Sequence, residues 1–108
     1  MTSSCDLETR YVDHVERRAR KLAFGRDLAG HKWRLRGGML ETVRGWYRQG
    51  IPLSVVGAAQ VQALAEAPPG REIRALYLLH LSLDRRVLSA WAEQGYPALD
   101  PDELEEAP

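Results

Sequence analysis

Along most of this chain apolar side chains return every three or four positions, the period of a helix with one buried face. Over residues 6–24, Leu7, Tyr11, Val12, Val15, Ala19, Leu22 and Ala23 share one face, with Arg10, Arg17, Arg20 and Lys21 opposite. The spacing predicts a first helix there. Its acid-before-base pairs, Asp13 with Arg17 and Glu16 with Arg20, are of the i,i+4 type that adds about 0.2–0.5 kcal/mol each on a helix surface. The pattern lapses over residues 25–38, which hold Gly30, Gly37 and Gly38 and read as a loop. It resumes in a second helix over residues 39–49, with Met39, Leu40, Val43, Trp46 and Tyr47 on the inner side.

Gly50 stands where a helix ends in a left-handed residue, and Pro52 suits the first turn of the next helix, where its missing N–H costs nothing. A third helix follows over residues 52–67, with a small-residue interior (Val55, Val56, Gly57, Ala58, Ala59, Val61, Ala63) that admits a close neighbour. Pro68-Pro69-Gly70 ends it. In a fourth helix over residues 71–94, the positions from Ile73 to Trp91 that include His80, Leu83, Asp84, Val87 and Leu88 fill an arc of roughly 160°, the width of a central helix. Leu78 and Leu79 fall outside that arc, beside Arg74, Arg85 and Arg86, and suggest a second contact surface. Gly95 closes this helix and Tyr96-Pro97 stops it from continuing. Residues 98–108 hold five acids and no base; Asp100 resembles an N-cap, yet so short an acidic helix is marginal alone, and the segment reads as mostly mobile.

These elements predict an all-α fold: a compact four-helix bundle with a basic, glycine-flanked loop after the first helix and an acidic C-terminal tail. Residues 1–5 read as a disordered N-terminus, 6–97 as one helical domain and 98–108 as the tail. The expected core joins Leu7, Tyr11, Val15 and Leu22 with Val43, Trp46, Tyr47, Val56 and Leu64, and with Ile73, Leu76, Leu83, Val87 and Trp91 of the fourth helix.

Composition narrows the class. A chain of 108 residues makes one domain, burying roughly 65% of its unfolded surface, enough for a core without metals or disulfides. Cys5 is the only cysteine, which excludes an intrachain disulfide and a cysteine-based zinc site. The N-terminus lacks a basic start with an apolar run, and residues 75–83, the longest apolar stretch, are too few to span a bilayer. A cytoplasmic protein with no membrane partner is expected.

The formal net charge is zero, but the charges are segregated. Eleven Lys and Arg residues lie between Arg10 and Arg48 against Asp13, Glu16, Asp27 and Glu41, whereas Glu93 and everything after it contributes six acids and no base. Such asymmetry fits a nucleic-acid or acidic-partner surface balanced by an acidic tail. Lys32-Trp33-Arg34-Leu35-Arg36 is the sharpest local candidate: the cations would contact phosphates, and an exposed Trp33 would stack on an unpaired base. The structural alternative has Trp33 and Leu35 plugging an open end of the bundle. With Arg17, Arg20 and Lys21 of the first helix, Lys32, Trp33, Arg34 and Arg36 are the nucleic-acid-binding candidates.

Catalytic apparatus is not expected. Phosphate loops and nucleophile motifs are absent from the sequence, and no cofactor, metal or small-molecule substrate is implied. His80 and Asp84 form an i,i+4 pair that suits either a base with its orienting carboxylate or a buried pair fixing helix register. The stretch from Trp46 to Ser54 loosely fits a helix-turn-helix, but its second helix offers only Gln60, Gln62 and Glu66 to reach base edges, so backbone contact is the expected mode of any nucleic-acid binding.

At Trp46-Tyr47-Arg48-Gln49-Gly50-Ile51-Pro52-Leu53-Ser54-Val55-Val56 the chain resembles uncharacterised small bacterial helical proteins that carry a Trp, then Gly-Ile-Pro-Leu, then a Val-rich helix. The arrangement is also similar to the DnaD-like helical domains of replication initiation, which bind DNA and partner proteins. The resemblance spans residues 7–92, with only the quoted core distinctive, and the chain departs from it by ending acidic where those domains end aromatic and basic. It implies the fold more than the function.

Two functions remain. One is a non-catalytic protein-interaction module, a homo-oligomer or accessory subunit of a larger bacterial assembly, docking through Leu78, Leu79 and Arg86. The alternative is a nucleic-acid-binding protein of replication or repair, gripping the backbone through the basic segment 10–48.

Overall fold

The computed structural model describes residues 4–24, 35–66 and 80–105, and among these every regular element is helical. In chain order they are α1 (Ser4–Phe24), α2 (Gly37–Gln49), α3 (Leu53–Glu66), α4 (His80–Glu93) and the single turn α5 (Asp102–Glu105). The glycine-flanked loop with Lys32, Trp33 and Arg34, the Pro68-Pro69-Gly70 break, and the 71–79 part of the expected fourth helix with Ile73, Leu76, Leu78 and Leu79 lie outside the described residues.

The core gathers Tyr11, Val15, Leu35, Met39, Val43, Trp46, Ile51, Val55, Val56, Ala59, Ala63, Leu83, Val87 and Leu104. Trp46 and Tyr11 are the largest side chains fully enclosed. Because α3 carries small residues on a wide buried arc (Val55, Val56, Gly57, Ala59, Gln60, Ala63), it packs against both α1 and α4. Of the expected fourth-helix arc, the positions from Ile73 to Leu81 lie outside the residues whose side chains are described; Leu83 and Val87 are buried, Asp84 and Trp91 only partly, and Leu88 is 36% exposed.

Polar groups inside this core are tied to backbone. The Tyr11 hydroxyl donates to the Ile51 carbonyl at 2.7 Å, and its ring meets Tyr47 edge-on at 5.6 Å. Gln60, read from sequence as a side chain able to face outward, is buried, and its amide nitrogen donates to the Val15 carbonyl at 3.2 Å, joining α3 to α1.

Two helix ends share one solution. At Gly50 (φ +80°) the chain turns left-handed, the Gly50 N–H donates to the Tyr47 carbonyl and the Ile51 N–H to the Trp46 carbonyl. That pair of bonds is a Schellman motif, and its usual apolar clasp is supplied by Trp46 against Ile51, both fully buried. Pro52 then opens α3, its carbonyl accepting from Val55 and Val56. The end of α4 repeats the scheme: Gly95 (φ +82°) donates to Ala92, Tyr96 donates to Trp91, and the Trp91 and Tyr96 rings meet edge-on at 5.1 Å. Trp91 also donates its indole N–H to the Pro97 carbonyl at 2.8 Å, so the chain leaves α4 in a fixed direction.

That direction matters for the acidic segment, described as far as Glu105. Leu99 donates its N–H to the Gly50 carbonyl at 2.8 Å, linking the exit from α4 to the α2–α3 corner. Asp100 caps the next turn by accepting from the Asp102 N–H at 3.0 Å, and α5 packs on α1 with Leu104 only 3% exposed. The physical reason is that a single turn, too short to hold by itself, gains its order from one large apolar side chain placed in a shared core.

Two outcomes follow. Leu104→Ala is expected to destabilise the protein by about 2–5 kcal/mol, as core leucine truncations do, read as a lowered denaturant midpoint with unchanged slope; a loose tail would give no shift. The second concerns pH. Burial, and to a smaller extent the negative charge of Glu103, push the Tyr11 hydroxyl well above its ordinary value. Folding therefore favours the neutral phenol, a contribution fully present below the unfolded tyrosine value of about 10 and lost as pH climbs past it. Tyr11→Phe should lower stability by about 1 kcal/mol at neutral pH through the lost hydrogen bond. It should also make the alkaline fall shallower in denaturation midpoints measured across that range.

Candidate interaction surface

On α1 the sequence places cations opposite the apolar face, but the fold does not leave them equivalent. Arg20 is buried: its Nη1 lies 2.9 Å from Glu16 Oε1, and the two side chains are each 10% exposed. Glu16 Oε2 accepts the Leu35 N–H at 2.8 Å. The pair expected on the surface is thus an internal clamp that seats Leu35 in the core and fixes where the chain enters α2. Glu16 and Arg20 are both buried, which helical periodicity alone does not foretell.

Of the other nucleic-acid candidates, Arg17 is partly buried and engaged by neighbours, Lys21 is exposed, and Arg36 is exposed on extended backbone just ahead of α2. Lys32, Trp33 and Arg34 lie outside the described residues; Leu35 of the same segment is a core residue, as the plugging alternative expected of it. Beside Glu16, the Asp13 carboxyl is raised above its ordinary value, mainly by burial and then by the Glu16 charge. Further along, Glu8 Oε1 stands 3.2 Å from Arg48 Nη2 and 4.0 Å from Arg44 Nε, and Arg44 also reaches Glu41 at 2.8 Å. Arg18 folds across α3, where its guanidinium fills the space a side chain at Gly57 would take.

Of the expected His80–Asp84 pair, the His80 side chain lies outside the described ones. Asp84 Oδ1 accepts the Trp46 indole N–H at 2.7 Å, so the carboxylate ties α4 to α2. Among the described residues no group of three or more His, Cys, Asp or Glu side chains could hold a metal ion.

Of the interface candidates, Leu78 and Leu79 lie outside the described residues. Arg86 is placed: it pairs with Glu66 of α3 and lines an open cleft of about 340 Å³ between α3 and α4. Gln62, Ser82, Arg85, Ser89, Ala90 and Glu93 line it as well. Two aliphatic side chains stand exposed on the same helices, Val61 (53%) and Leu88 (36%). Sequence reasoning does not single out Ser82, Arg85, Ser89 and Glu93 as a group, although their spacing of three and four marks them as one helical face. No helix among the described residues is long and apolar enough to cross a membrane.

Comparison with known proteins finds no matching family model, no similar curated protein and no similar solved structure.

The clamp gives a direct test. Glu16→Ala takes from buried Arg20 a carboxylate at 2.9 Å and from the Leu35 N–H its acceptor, and is expected to cost about 1–3 kcal/mol. A surface pair would cost a few tenths of that, and thermal unfolding separates the two.

Proposed function

We propose that this chain is a non-catalytic protein-interaction module, a four-helix bundle that docks through the exposed face shared by α3 and α4. The observation that carries the reading is the cleft around Arg86, which gathers two arginines, two serines, Gln62, Ala90 and Glu93 where α3 and α4 open to solvent. Arginine is enriched at protein-binding surfaces, and polar side chains of this kind make up their rims. The charge that motivated the nucleic-acid reading is partly spent inside the molecule, on the Glu16–Arg20 clamp and on the pairs of Glu8 and Glu41 with Arg44 and Arg48.

A second reading, backbone contact with nucleic acid, draws support from exposed Arg10, Lys21 and Arg36. Like the first it takes up the role of the DnaD-like domains in part, since those bind both DNA and proteins.

A photo-crosslinking side chain placed at Leu88 or at Lys21 in cells distinguishes them. The interaction module predicts an adduct of one discrete polypeptide mass from position 88, lost with Arg86→Glu, and none from position 21. Nucleic acid attached at position 21, with nothing attached at position 88, overturns the first reading in favour of the second.

A further inference from the structure

The outward face of α4 consists of Ser82, Arg85, Leu88, Ser89, Ala92 and Glu93, all exposed. Arg85 and Glu93 sit four positions to either side of Ser89, and at 1.5 Å rise per residue they are about 12 Å apart, beyond reach of one another within the helix. No ion pair joins either to another described residue. Arg86, by contrast, is already held by Glu66.

A helix face with a cation one turn before its centre, an anion one turn after, and a small residue at the centre is complementary to itself when reversed. A two-fold axis through Ser89 brings Arg85 opposite the partner's Glu93 and Glu93 opposite the partner's Arg85, giving two equivalent ion pairs. The small side chains of Ser89 and Ala92 let the helices approach to the 8–10 Å of ordinary helix packing. A two-fold interface requires this kind of pattern, in which a residue contacts its counterpart's partner and the reverse. Resting on the reading of α3 and α4 as a docking face, we infer that the partner seated on α4 is a second copy of this chain, packed antiparallel about Ser89.

The inference is tested by a charge-exchange series. Sedimentation equilibrium should find a concentration-dependent dimer. Arg85→Glu alone and Glu93→Arg alone should each weaken it by about tenfold or more, because each substitution sets like charges opposite at two symmetric places. The double variant Arg85→Glu/Glu93→Arg should return to within about threefold of the parent, since exchange restores both pairs. In a Cys5→Ser background, Ser89→Cys should form a disulfide-linked dimer under mild oxidation, as a residue on the axis faces itself, and Ser54→Cys on α3 should not. Both exchanged positions are exposed, and circular dichroism verifies that each variant is folded.

A strict monomer overturns the inference, as does a dimer indifferent to the single exchanges. Either result leaves the wider reading standing if position 88 still crosslinks to a different polypeptide. Absence of any polypeptide adduct there removes both.

Discussion

The arrangement of these helices depends on how one indole is enclosed. Trp46 is fully buried and has a single donor, which must find an acceptor inside the protein or leave a costly unsatisfied group. Asp84 supplies it, 38 positions later, from a half-buried site on α4. A hydrogen bond to a carboxylate is directional and strong for its kind, so it fixes the rotation of α4 against α2 where apolar contact alone would tolerate sliding. The same residue's carbonyl receives the Ile51 N–H and closes the turn into α3. Trp46 thereby sets a corner, a core and a helix orientation together.

The remaining constraints extend from that corner. Gly50 provides both the left-handed turn and the carbonyl to which Leu99 donates, so the exits of α2 and α4 are held at one place. Tyr11 reaches the neighbouring Ile51 carbonyl from α1, and Gln60 reaches back to α1 from α3. Glu16 performs the equivalent task at the other side of α1 by holding the backbone at Leu35. With these polar ties directed inward, the outward arc of α4 is left carrying an ordered alternation of charge and small side chains that the fold itself does not use.

Much of this was legible as pattern. The apolar period marks four long helices, and Gly50 before Pro52 announces a corner because only a residue tolerant of positive φ, followed by one that starts a helix well, fits there. What was not legible was coverage. Glu16 and Arg20 look like any surface pair until Glu16 is seen to hold the distant Leu35 N–H. Leu104 looks like a lone apolar residue in an acidic run, since local propensity reports the weakness of the turn and not the pocket that receives it. Leu88 falls at the rim of an arc, where a few degrees decide between core and solvent. For the candidate site, Arg86 was identified and its companions Ser82, Arg85, Ser89 and Glu93 were not, because a polar arc on a helix has no distinguishing mark until its neighbours are known.

The seating of α5 on α1 has a consequence for biosynthesis. Tyr11 and Leu104 belong to one core yet are far apart along the chain. At a translation rate of about 5–20 residues per second, the apolar side of α1 precedes its cover by on the order of ten seconds. Through that interval the nascent protein carries an unfinished interior, consolidated only when the later-made turn meets the earlier-made helix.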